Sequence, residues 1–241
     1  MPRRLVRLSA FLAVLAAAPV GAEQASLYYF DMPPFTYQQD GELAGAIAAL
    51  AHSVTADLGI ATRSEPMPLR RLEFEARNRP IIVAAITRNA RREDSYQWIG
   101  RICTEAFVMA SRTPNAVIDS LDDARKLKSI AVAAGANNEV FLRDHGFTNL
   151  DVAATIQLEA RRLAEGHDDA WFAPRAGVIH AWVAAGYDPS QLRFGAPIAP
   201  MQIWMAASPK VPAALVETLR ARFAERARSA PLAGEAGCTG D

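Results

Sequence analysis

Ile81-Ile-Val-Ala-Ala-Ile86 is an uninterrupted apolar run that ends abruptly in Thr87-Arg-Asn-Ala-Arg-Arg92. Six apolar residues in a row fit a strand covered on both faces, because a half-exposed strand would alternate. Strands of that kind belong to sheets layered between helices, so the flanking segments ought to be helical. Upstream, Leu69 to Ala76 reads as a helix after Pro66 and Pro68. Before it, Ile47, Leu50, Val54 and Leu58 recur at helical spacing between the Asp40-Gly41 turn and Gly59. Ser26-Leu-Tyr-Tyr-Phe30 is a first β-rich run, broken at Asp31-Met-Pro-Pro34. Strand, loop, helix, helix, strand is the opening of an α/β layer fold.

Downstream, Ala106-Phe-Val-Met-Ala110 predicts another strand, stopped by Arg112-Thr-Pro114, where the composition changes. The alternation then restarts. Ser120-Leu-Asp-Asp123 resembles a helix cap, Ile130-Ala-Val-Ala-Ala134 a strand, and Gly135-Ala-Asn-Asn138 opens a helix from Glu139 to Asp144 that Gly146 ends. Leu158 to Ala164 predicts a helix, Asp169-Ala-Trp-Phe172 a strand, Ala176 to Ala185 a helix before Gly186, and Met201-Gln-Ile-Trp-Met-Ala206 a strand. A last helix carries Leu215, Leu219 and Phe223 on one face.

The 241 residues are 51% hydrophobic, with 26 Lys+Arg and 26 Asp+Glu. This excludes a disordered chain and leaves room for one large domain or two lobes. Arg3, Arg4 and Arg7 precede an apolar stretch from Leu8 to Val20, with small residues at its end. This predicts a secretory signal over 1–22, cleaved after Ala22; an uncleaved anchor is the alternative. Without that leader the balance becomes 23 basic against 26 acidic residues, a poor surface for nucleic acid. Export would let Cys103 and Cys238 pair as one disulfide, the alternative being two separate thiols. The four histidines, scattered at 52, 145, 167 and 180, have no metal-ligand spacing, so no metal site is expected.

No nucleophile elbow, dinucleotide or phosphate-loop signature, or zinc-protease motif is present, and neither a catalytic residue nor a cofactor is assigned. Three places stand out instead. Asp31-Met-Pro-Pro-Phe-Thr-Tyr37 presents Phe35 and Tyr37 at the carboxyl end of a strand, where α/β proteins bind ligands, although Phe35 can equally plug the loop onto the core. Thr87 to Gly100 holds Arg88, Arg91 and Arg92, any of which can present a fork to a carboxylate or pair with Glu93 and Asp94. The amides of Gly135-Ala-Asn-Asn-Glu139 open a helix and suit an anion, with Asn137 or Asn138 as the competing N-cap.

Taken in order, these pieces resemble the periplasmic solute-binding proteins of the amino-acid (family 3) type. Asp31 to Tyr37 followed by Asp40-Gly-Glu-Leu-Ala-Gly45 is similar to that family's opening loop. Pro68-Leu-Arg-Arg71 and Thr87 to Arg92, continuing to Trp98-Ile-Gly100, resemble its Arg-bearing segment and the aromatic-Gly run beyond. Ser129 to Asn137 resembles the strand and turn of its second lobe, and Gly166-His-Asp-Asp-Ala170 its Asp-Ala strand.

The resemblance implies a type II periplasmic-binding-protein fold: two α/β lobes, each a mixed sheet flanked by helices, with two hinge crossovers. Lobe one would be 23–111 plus 205–241, and lobe two 112–204. It implies a non-enzymatic, monomeric receptor in the periplasm that closes over a small carboxylate-bearing solute for an inner-membrane ABC permease. Arg92, with Thr87, would grip the carboxylate. Gly135, Ala136 and Asn137 would meet it from lobe two, and Met32, Phe35 and Tyr37 would form a side wall, with Arg71 and Arg175 nearby. The chain departs from the family where Trp171-Phe-Ala-Pro-Arg175 lacks the acid that holds an α-amine, so an organic acid without that amine is as good a candidate. Two other readings remain: a dehydratase-like enzyme using Glu105 or Glu139, and a ligand sensor without transport.

Overall fold

The computed structural model describes residues 25–63 and 65–229. The expected signal sequence lies outside that range, as does Cys238 of the expected Cys103–Cys238 disulfide. Among the described residues no helix is long and apolar enough to cross a membrane.

Lobe one begins with β1 (Ser26–Tyr28), the hairpin strands β2 (Tyr37–Gln39) and β3 (Glu42–Ala44), α1 (Ala46–Thr55), β4 (Ala61–Thr62), α2 (Leu69–Asn78) and β5 (Ile81–Thr87). All seven residues of β5 are buried, as its unbroken apolar run requires. Its side chains divide between two cores by the period of two. Ile82 and Ala84 join Leu27, Val54 and Leu219 on one face, while Ile81 and Val83 pack with Leu72 and Trp98 on the other. The Asp40-Gly41 turn has both φ values positive, at 53° and 85°, which suits a tight hairpin between β2 and β3.

The chain leaves this lobe along β6 (Gln97–Arg112), a 16-residue strand. The sequence predicts only Ala106–Ala110 here, since Arg101, Thr104 and Glu105 hide the strand pattern where its flanks are only partly covered. Lobe two then contains α3 (Leu121–Ala124), β7 (Ile130–Ala133), α4 (Asn137–Asp144), β8 (Leu150–Ala153), α5 (Ile156–Glu165), β9 (Ala170–Pro174), α6 (Arg175–Ala184) and β10 (Leu192–Phe194). The short strands β8 and β10 escape the sequence reading. The chain returns along β11 (Ala199–Ala207) and closes with α7 (Ala213–Ser229).

The sheet runs β4-β1-β5-β11-β6-β9-β7-β8, with β10 beside β6. The two long strands join the halves: β11 pairs antiparallel with both β5 and β6, and β6 continues past β11 to pair with β9. Within each half the remaining neighbours, β1 with β4 and β5, and β7 with β8 and β9, are parallel. Trp171 and Ala173 face the α5–α6 side, whereas Phe172 faces Leu142 and Phe107 on the other. The result is a mixed α/β protein of two lobes sharing one twisted sheet.

Candidate functional site

The parallel strands of both lobes aim their carboxyl ends at one cleft of about 460 Å³. From lobe one it receives Phe30 to Phe35 after β1, Pro66 to Arg70 before α2, Thr87 at the end of β5, and Arg92. From lobe two come the turn after β7, the start of α5 and the end of β9, while Phe107 and Met201 of the connecting strands form the back. The location follows from topology, because loops at the carboxyl ends of strands from both lobes face one another there. Met32, Met67, Phe107, Ile156 and Met201 make its walls largely apolar.

Of the residues expected from sequence, Met32, Phe35, Thr87, Arg92, Ala136 and Asn137 line this cleft. Gly135 lines a smaller adjoining cavity. Three others lie outside both linings. Tyr37 lies against His180 in a tilted pair with ring centroids 5.2 Å apart, Arg175 lies over the Phe194 ring at 4.3 Å, and Arg71 is exposed. Arg71 loses its place to Arg70 because successive residues on a helix point about 100° apart, and burying Leu72 turns Arg70 toward the cleft. Phe30, Met67, Met201 and Glu159 also line it without having been singled out; Pro66-Met-Pro68, flanking a helix start, was the only signal.

The arginine cluster separates into three environments. Arg88 lies between the rings of Trp98 and Trp204, 5.0 and 4.4 Å from their centroids, and pairs with Glu93. Arg91 is on the surface, 3.5 Å from Asp144 of lobe two. Arg92 is buried and faces the cleft, but it is already engaged. Its Nε and Nη2 donate to Glu73 Oε1 at 2.8 and 2.7 Å, and Nη1 donates to the Thr87 carbonyl at 3.1 Å. Glu73 sits one helical turn beyond Leu69 on α2, nineteen residues before Arg92, and nothing in the spacing announces the pair.

The lobe-two turn is similarly self-satisfied in part. The Gly135 amide donates to Glu139 Oε2 at 2.7 Å, and Arg143 Nε donates to Oε1 at 2.9 Å. Against the upward push of burial, these bonds hold the Glu139 carboxyl below its ordinary range. The N-cap residue Ala136 makes no side-chain cap and its amide donates to the Ala133 carbonyl, while the Glu139 amide donates to Asn138 Oδ1, so the start of α4 offers its positive dipole end and the amides of Asn137 and Asn138. The lobes touch over this turn: Asn89 donates to Asn137 Oδ1 at 2.8 Å, and Arg70 covers Gly135.

Three further acids, Asp31 at the cleft surface and the buried Glu105 and Glu159, differ from these. Asp31 lines the cleft and is raised by burial. Burial pushes Glu105, on β6, up to about 7 despite backbone amides of Ala106, Ala176 and Arg175; its Oε2 has no partner. Glu159 is pushed to about 8, chiefly by burial, against the pull of the Trp171 indole and with Asp168 adding to the rise. Glu105 and Glu139 line neither the cleft nor its smaller neighbour. Among the described residues no group of three or more His, Cys, Asp or Glu side chains is arranged to hold a metal.

Two α/β lobes joined by paired strands, with the strand ends of both facing one cleft, define the periplasmic-binding-protein fold. The same fold is found in a histidine kinase sensor domain with similarity to periplasmic binding proteins, at a TM-score of 0.76, 15% identity and coverage of 86% of this chain and 92% of that one. Holo ArgBP from T. maritima is similar at a TM-score of 0.72 and 17% identity, covering 86% and 92%. The substrate-binding protein of an amino acid ABC transporter is similar at 0.69 and 18%, covering 85% and 94%. No protein-family model matches the sequence, and no curated protein is significantly similar to it.

Proposed function

We propose that the protein is an extracytoplasmic receptor that closes over a small solute with an apolar body and one carboxylate. The observation that carries this reading is the cleft itself: strand ends from both lobes converge on an apolar chamber that opens onto an uncapped helix start and a buried arginine. Closure then follows from contacts that a ligand makes with both lobes together and cannot make when they part. The carboxylate would meet the first-turn amides of α4 and would share or displace Glu73 at Arg92. The division near residues 112 and 205, the periplasmic location, the monomeric state and delivery to an inner-membrane ABC permease belong to the same proposal. The likeness to an amino acid transporter's binding protein supports it.

A screen of amino and organic acids by thermal shift, with native mass spectrometry of material carried through purification, tests the reading. A bound carboxylate returned chemically intact supports it; turnover of that compound would show an enzyme instead. Arg92→Ala should weaken calorimetric affinity for the ligand at least a hundredfold, since a buried carboxylate would lose its charged partner. Unchanged affinity would remove Arg92 from the site.

The likeness to a histidine kinase sensor domain favours a second reading, in which the closed state signals to a membrane partner without transport. Loss of ligand uptake on deletion supports transport, whereas a ligand-dependent transcriptional response with normal uptake supports sensing.

A further inference from the structure

Among the described residues the main cleft is lined by the charged side chains of Asp31, Arg70, Arg92 and Glu159, and two of these are already engaged within the protein. Arg92 gives Nε and Nη2 to Glu73 and Nη1 to the Thr87 carbonyl, so its charge is balanced before any solute arrives. Glu159 is 2% exposed, and burial pushes it up to about 8, which leaves it mostly uncharged at pH 7.

Arg70 differs from both. It is exposed, it lines the cleft, and among the described residues it has no hydrogen bond and no acid within ion-pair distance. Asp31, the other open charge, likewise pairs with no cation, so it does not neutralise Arg70. The first turn of α2, where Arg70 stands, contains no acid either. A cation at that end of a helix is locally disfavoured, and nothing in the turn offsets it.

The position of Arg70 carries the argument across the cleft. Its Nε, Cγ and Cδ lie 2.6, 3.1 and 3.4 Å from where a Cβ on Gly135 would stand, so this lobe-one side chain lies directly against the lobe-two turn that leads into α4. Ala136, Asn137 and Asn138 of that turn line the same cleft. Glu139 is the nearby acid, but the Gly135 amide and Arg143 occupy its two oxygens, and it feels Arg70 only through space. A carboxylate at the start of α4 thus finds in Arg70 a planar fork that nothing has to vacate, whereas at Arg92 it competes with Glu73.

We infer that Arg70 is the residue that makes the cleft select a carboxylate over a neutral group, its guanidinium folding from lobe one over an anion held at the start of α4 in lobe two. This rests on the receptor reading above and deepens it, since Arg70 supplies the uncompensated charge and Arg92 a second contact on the same group.

Calorimetry with L-phenylalanine, L-leucine, phenylacetate and hexanoate, each beside its primary amide, tests the inference. At least one acid should bind the parent more tightly than its amide by about tenfold or more, and Arg70→Gln should remove most of that preference. Arg70→Lys should restore part of it, as a point charge without the fork. Arg71→Gln removes the same charge one residue on, outside the cleft lining, and should leave the preference unchanged. Melting temperatures of the solute-free variants separate lost binding from lost folding. An acid-over-amide preference that survives Arg70→Gln, or is absent from the parent, overturns the role of Arg70 and leaves the receptor reading standing. Equal loss with Arg71→Gln shows general charge attraction and overturns that role as well. Failure of every acid to bind the parent overturns the carboxylate reading and this inference with it.

Discussion

Two glycines lie near the main cleft, one in each lobe, and a side chain at each would meet a different obstacle. Gly45, before α1, has φ 107°, and an added Cβ would lie 2.7 Å from the Pro34 carbonyl oxygen and nearer still to that of Phe35. Gly135, before α4, has φ 72°, and its added Cβ would lie 2.6 Å from Arg70 Nε. The first meets the backbone of its own lobe; the second meets the tip of a flexible side chain from the other lobe. One glycine lets lobe one fold its opening loop onto α1. The other sets how closely the lobes approach.

This difference predicts separate consequences. Gly45→Ala should have the largest effect, since steric overlap with backbone and a strained φ act together. A loss of about 4 kcal/mol in denaturant unfolding, or failure to accumulate folded protein, is expected. Near-normal stability would show that the loop against α1 yields, and the contrast would collapse.

A second contrast lies between Glu105 on the connecting strand and Glu139 in the lobe-two turn. Glu105 is raised from 4.5 to about 7, so between those pH values the folded state binds the proton and the unfolded state does not. Its contribution to stability therefore falls as pH rises through that window, by on the order of 3 kcal/mol. Glu159, raised to about 8, acts in the same direction. Glu139 is lowered, and its contribution is present above the ordinary carboxylate range and lost as pH falls through the folded value. Urea unfolding of Glu105→Gln from pH 4.5 to 8 should show a flatter dependence than the parent; an unchanged slope would show Glu105 to be solvated in the folded state.

Gly135→Ala should cost less in stability, about 1 kcal/mol for the left-handed backbone, because Arg70 can move away. Its effect on closure should be larger than its effect on folding. Small-angle scattering of the saturated variant should show a wider molecule than the parent, which an Arg70→Ala, Gly135→Ala double variant should partly restore. Smallest of all, Thr155→Ala removes the hydroxyl that accepts from the Leu158 amide at 3.2 Å and should cost at most about 1 kcal/mol without altering scattering. A scattering change there would make lobe-two stability, and not the turn, the source of the Gly135 effect.

Much of this architecture is legible in residue order. The unbroken run of β5, the Gly-terminated helices and the second β-turn-helix at Ile130 to Asp144 each carry a local signal. Only Ala106–Ala110 of β6 carries a strand signal, because a strand passing between two lobes lacks the continuous cover that makes an apolar pattern. The cleft is legible as loops after strands, which point to Phe35; Met32, Thr87 and Arg92, which also line it, follow only from the family resemblance, since spacing leaves Arg88, Arg91 and Arg92 equivalent. Arg70, Glu73 and Met201 carry no such signal, since their place depends on partners far along the chain or on the turn of a helix by one residue.

The chain by itself determines which segments are strands and helices, that they alternate twice, and that charged and aromatic loops follow the buried strands. Those properties are local, set by side-chain period, glycine and proline. Only the tertiary structure decides that Arg92 is held by Glu73, that Asn89 of lobe one meets Asn137 of lobe two, and that strand ends from both lobes line one cleft. Each is a contact between elements, and its energy depends on distance and burial that no spacing along the sequence encodes.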